Sequence, residues 1–109
     1  METFAENGTE IITLAKDEIC VFANDFEEKK HYQNRHLIVK LSDTDLDSKD
    51  LTCFVSISKY HRKKNKKSLV IVGEELDYGL IPNEVSFAPT EEEAYDIIEM
   101  EEIERDLGI

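Results

Sequence analysis

Short continuous apolar runs alternate along this chain with segments of helical periodicity. Leu37-Ile38-Val39, continued by Leu41, predicts a buried strand. Leu69-Val70-Ile71-Val72, ended by Gly73, predicts a central parallel strand buried on both faces. The segment between them, Ser48 to Lys67, reads two ways. Leu51 to Ile57 is rich in β-branched and aromatic residues and suits a strand. Leu51, Phe54, Val55 and Ser58 also fall on one helical face, with Ser48 as the N-cap and basic residues at the C-terminal end. Two flanking parallel strands need a crossover between them, so a helix is assigned.

The rest of the pattern completes an α/β order. Asn7-Gly8 lies between Glu2–Glu6 and Thr9–Leu14 and predicts a type I′ hairpin whose first strand is weak. Ile19, Phe22, Ala23 and Phe26 form one apolar face of a helix expected from about Asp17 to Gln33. Glu74 to Asn83, with Gly79 and Pro82, reads as a short helical turn plus loop, and Val85, Phe87 and Ala88 as a last short strand. Thr90 caps a final helix that runs to about Leu107, with Glu93 placed to complete a capping box and Gly108 as terminator. The expected fold is α/β: a small, mostly parallel sheet with a β-hairpin start and crossover helices, in a single domain over residues 1–109.

The final helix carries two apolar stripes. Ala94, Ile97 and Ile98 can dock on the sheet. Met100, Ile103 and Leu107 are rotated well away from them at about 100° per residue. The plain explanation is a bend, fraying, or packing against a neighbouring element. The sharper one is a ridge for a partner helix or a second copy of the chain.

Composition narrows the function classes. The 109 residues are 40% hydrophobic and carry a net charge of −12, which argues against general nucleic-acid binding. Nine acids and one base occupy Glu91 to Asp106, whereas six bases fall within Lys59 to Lys67. That basic run reads first as a solvated helix end and second as an RNA-binding patch. No apolar run approaches the ~20 residues of a membrane span, and METFAENGTE lacks the apolar core of a signal peptide. A cytoplasmic protein is therefore expected. The two cysteines, Cys20 and Cys53, lie in apolar helical patterns and are expected to be reduced core residues.

Motifs for catalysis and cofactors are missing from the sequence, so neither an enzyme nor a cofactor is expected. It contains no G-x-x-x-x-G-K-[ST], G-x-G-x-x-G or G-x-S-x-G. His31, His36 and His61 are widely separated and make no H-x-x-x-H or H-x-H pair; His31 and His36, which flank a helix-to-strand connection, read as lone surface residues. Asp43-x-Asp45-x-Asp47 resembles part of a calcium loop, but the position needing Gly holds Ser48 and the one needing Glu holds Phe54. No metal is expected there. The acids keep the loop solvated and place negative charge at the start of the next helix.

With strand, acidic loop and capped helix in order, the chain resembles the STAS domain family (sulfate transporter and anti-sigma factor antagonist). The loop of that family typically reads D-S-S/T-G-L after an apolar strand. Asp47-Ser48-Lys49-Asp50-Leu51 stands in that place, after LIVKLSDTDL. The ending PTEEEAYDIIEMEEIERDL is similar to that of a bacterial subset of the family. The resemblance implies a regulatory module that binds a partner protein at the strand-to-helix joint. It also implies a kinase-modified hydroxyl residue, and that position holds Lys49, with Asp50 in place of the loop glycine. The usual phosphoswitch is therefore expected to be lost, with Ser48 serving as a helix cap. Similar short proteins carry a ribonuclease Z label, but three scattered histidines cannot assemble the H-x-H-x-D-H cluster of that enzyme. The expected partner surface comprises Asp43, Asp45, Asp47, Ser48, Lys49 and Asp50, with Met100, Ile103 and Leu107 as a second patch. The expected partner is another protein, with a homodimer as an option. The alternative function is an accessory RNA or ribonuclease-associated factor acting through Lys59 to Lys67.

Overall fold

The computed structural model describes residues 2–42, 46–73 and 77–108. Five strands form one mixed sheet: β1 (Glu2–Glu6), β2 (Thr9–Leu14), β3 (His36–Leu41), β4 (Leu69–Val72) and β5 (Ser86–Ala88). Their spatial order is β1-β2-β3-β4-β5. The β1–β2 pair is antiparallel and the other three pairs are parallel. Asn7 and Gly8 have φ of 52° and 80°, the double positive φ that the tight hairpin requires. The exposed β1 is fully paired with β2, firmer than its composition suggested.

Alternation along the strands divides the core in two. Ile12 and Leu14, Leu37 and Val39, and Leu69 and Ile71 point to one face. Helices α1 (Ile19–Asp25) and α2 (Ser48–Lys63) cover that face. Ile38, Val70, Val72 and Ala88 point to the other, where α3 (Glu91–Asp106) docks through Ala94 and Ile98. The crossover helix α2 thus forms despite its β-rich run, because Leu51, Phe54, Ile57 and Ser58 make one buried stripe at helical spacing.

The long first helix expected from Asp17 to Gln33 is not formed. A 3-10 turn at Lys16–Glu18 leads into α1, the helix stops at Asp25, and a second 3-10 segment covers Lys30–Asn34. Aromatic packing accounts for the break. At about 100° per residue, a continuous helix would turn Tyr32 well away from the face carrying Phe22 and Phe26. The chain instead folds back so that Tyr32 stacks on Phe26 at 6.0 Å between ring centroids. Phe22, Tyr60 and His61 close around the same ring. Glu10 on β2 is buried as well, and its Oε1 accepts from Arg35 Nη1 at 2.8 Å.

The cysteines also depart from expectation. Cys20 and Cys53 are paired as a disulfide, Cα to Cα 5.9 Å, joining α1 to α2. Cys20 points outward and Cys53 is half-buried, so neither is the enclosed core thiol expected from its pattern. No helix among the described residues is long and apolar enough to cross a membrane.

Candidate functional site

The strand-to-helix joint begins where β3 leaves the sheet. Ser42 donates from both its backbone N (3.0 Å) and its Oγ (3.1 Å) to the Leu14 carbonyl, tying the loop to the end of β2. Asp43 and Asp45, with most of the suggested calcium loop, lie outside the described residues. Leu46 is buried and anchors the far side of the loop. Asp47, not Ser48, is the N-cap of α2. Its Oδ1 accepts from Asp50 N at 3.0 Å, and its own N donates to Asp50 Oδ2 at 3.0 Å. This is a reciprocal capping box built from two aspartates. The bond from Asp50 N holds the Asp47 carboxyl below its usual range, helped by the Asp50 side chain and Lys16. Lys16 Nζ lies 3.9 Å from Asp50 Oδ2, which ties the β2–α1 turn to the same helix start.

This arrangement reassigns the roles of the loop residues. The exposed Asp47 and the half-buried Asp50 are structural to the joint, whereas Ser48 and Lys49 are exposed side chains outside the capping box. Asp47→Ala is expected to cost about 1 kcal/mol in urea denaturation, and Ser48→Ala at most a few tenths. Equal losses would return the cap to Ser48.

Open α/β sheets form a ligand crevice where their strand order reverses. Among the described strands the order never reverses, so they form no switch point of that kind. One described cleft, about 340 Å³, opens where α3 leaves the β1–β2 hairpin uncovered, between Phe4, Ile11 and Tyr95, with the Lys40–Glu91 ion pair (2.8 Å) in its wall.

The second predicted patch is exposed. Thr90 Oγ1 accepts from Glu93 N at 3.2 Å and starts α3; no reciprocal bond from the Glu93 carboxylate forms among the described residues. Past Ile98 the docked side of the helix turns polar. Glu101 accepts from Ser68 Oγ (2.7 Å) and Ser86 Oγ (2.6 Å), and Arg105 Nη2 donates to Ser68 Oγ (3.1 Å). These bonds replace apolar packing and hold the helix against β4 and β5. Met100, Ile103 and Leu107 consequently face away from the sheet, 59%, 53% and 68% exposed. No bend brings them to the core.

Two of the three scattered histidines are buried at the opposite end of the strands. Parallel strands start together, so His36 at the head of β3 lies beside Ser68, just ahead of β4. Ser68 N donates to His36 Nδ1 at 3.0 Å, leaving Nε2–H to donate to Glu102 on α3. Burial lowers the pKa of His36, against the pull of Glu102. His61 on α2 is fully buried. Its Nε2 donates to the Arg35 carbonyl at 2.7 Å and its Nδ1 accepts from Asn65 Nδ2 at 2.9 Å. Burial brings its pKa down to about 4. The parallel pairing of β3 and β4 was the signal that could have placed His36 beside Ser68. The basic run is broken by the same packing. His61 turns inward, while Lys66 and Lys67 line a cleft of about 420 Å³ with His36, Glu102, Arg105 and Asp106. Acids therefore interrupt the positive surface on which an RNA-binding reading depends.

Among the described residues no group of three His, Cys, Asp or Glu side chains could hold a metal ion. Compared with models of known families and with curated proteins, the chain matches neither.

Proposed function

We propose that this protein is a non-catalytic regulatory module that binds another protein, in the manner of an anti-sigma factor antagonist but without a phosphorylation switch. The observation that carries this reading is the ridge of Met100, Ile103 and Leu107 on the solvent side of α3. Three large apolar side chains aligned on one helix face form a surface that association would bury. Exposed Asp96, Glu99 and Glu104 border it. The complementary partner presents an apolar strip edged with Lys or Arg. Two copies of this ridge would bring like charges together, which disfavours the homodimer.

The joint supplies a second contact, through Ser48 and Lys49 at the exposed start of α2. The hairpin start, the mostly parallel sheet and the strand–loop–helix joint fit the STAS resemblance. Lys49, in the place of that family's modified hydroxyl, favours a partner contact that is not phosphorylated. Affinity capture with the wild-type chain and Ile103→Asp, compared by quantitative mass spectrometry, tests the reading. The partner is expected to be depleted from the variant's eluate. A partner recovered equally by both would remove the ridge from the binding surface.

A further inference from the structure

The Cys20–Cys53 pair lies at the end of the molecule where β2 and β3 hand over to their helices. Cys20 follows the 3-10 turn that carries Lys16, and Cys53 comes one helical turn after Asp50. The disulfide and the Lys16–Asp50 ion pair therefore fasten the same two segments, the entry to α1 and the first turns of α2. The Cα separation of 5.9 Å lies within the range that a disulfide bridges without moving the backbone.

Either oxidation state is accommodated locally. Cys20 is an exposed residue, the side from which a thiolate can approach the bond. Cys53 Sγ lies 3.6 Å from the Lys49 carbonyl oxygen, an acceptor ready for the thiol hydrogen once the bond opens. A thiol released there is not left as an unpaired donor.

We propose that Cys20 and Cys53 form a reversible dithiol–disulfide site that exchanges with small-molecule thiols and disulfides of the glutathione class, and that its disulfide clamps the first turns of α2 onto α1. In reduction, a glutathione thiolate attacks Cys20 Sγ. The sulfur–sulfur bond breaks, its electron pair goes to Cys53 Sγ, and solvent protonates that thiolate. A second glutathione thiolate attacks the glutathione sulfur of the mixed disulfide. Oxidised glutathione leaves, and Cys20 takes a proton. Two electrons enter the protein and two glutathiones are joined; oxidation is the reverse. This inference stands apart from the partner-binding reading, because its test involves no partner.

The test equilibrates the full chain with mixtures of reduced and oxidised glutathione, quenches in acid, alkylates free thiols and weighs the intact protein. Two alkyl groups per chain are expected in reducing mixtures and none in oxidising ones, with no glutathione retained at either end. In Cys53→Ser, oxidised glutathione is expected to leave one glutathione on Cys20. Amide exchange over residues 48–53 is expected to be faster in the dithiol than in the disulfide. A pair that resists every reducing mixture, or that stays alkylatable in pure oxidised glutathione, overturns the exchange site. Oxidation that stops at a mixed disulfide on Cys20 does the same. Identical amide exchange in the two forms overturns the clamp.

Discussion

Phe26→Ala is expected to lower the stability of this protein by about 4 kcal/mol, the largest loss anticipated for a single substitution here. Phe26 is fully buried and lies where three segments meet. Phe22 and Tyr32 come from the chain on either side of the helix break, while Tyr60 and His61 come from α2. Removing the ring opens a cavity that none of these neighbours can fill without leaving its own contacts. Tyr32 is there only because the chain leaves helical geometry after Asp25, so the variant also removes the reason for the fold-back. Urea denaturation gives the magnitude. A loss below about 1 kcal/mol would mean that the ring is not the centre of this cluster.

Acid is expected to destabilise the fold through His61, by about 2 kcal/mol between pH 7 and pH 5. The sign follows from proton binding. His61 has a folded-state pKa of about 4 against an ordinary value of 6.5. The unfolded chain therefore binds the proton first. The contribution is fully present above about pH 6.5 and is lost as pH falls toward 4. Protonation at Nδ1 would also break the bond from Asn65. His36 acts in the same direction, since its pKa too is lowered by burial and its Nδ1 is engaged by Ser68. Substituting His61→Gln removes one titrating group, so the variant's stability should fall less steeply over this window than the wild type's. Parallel pH profiles would show that His61 is not the acid-sensitive element, whatever the absolute cost of the substitution.

The parts of the fold legible in the sequence are those set by local chemistry or by topology. Asn7-Gly8 specifies its hairpin because both positions take positive φ. The crossover rule assigned α2 correctly where β-propensity pointed the other way. The two stripes of α3 fell on opposite sides, and the second is exposed as a ridge. What stayed hidden was set by tertiary contacts between distant residues. Tyr32 leaves a helical register to stack on Phe26. Cys20 and Cys53, 33 residues apart, meet only because α1 and α2 pack side by side. The cap was misassigned by one residue because Asp47 and Ser48 are both good N-caps. Only the paired bonds between Asp47 and Asp50 distinguish them. For the candidate site, the exposed apolar ridge was readable from periodicity. The division of the joint into structural aspartates and exposed Ser48 and Lys49 was not.

That division changes how the joint should be probed. A substitution at Asp50 would disturb the capping box and the contact with Lys16, mixing folding with binding. Lys49 is exposed and contributes to the cap only through its backbone N–H, so Lys49→Glu alters the charge of the surface without loosening the helix start. Ile103→Asp is equally clean, because Ile103 faces solvent on α3.

The central claim is that the α3 ridge, assisted by the start of α2, is a protein-binding surface. It is tested most directly by calorimetric titration of the purified partner into wild type, Lys49→Glu and Ile103→Asp, with circular dichroism checking that all three are folded. Ile103→Asp is expected to weaken binding by about tenfold or more, equivalent to at least about 1.4 kcal/mol, and Lys49→Glu by a smaller factor. Wild-type affinity in both folded variants would contradict the account.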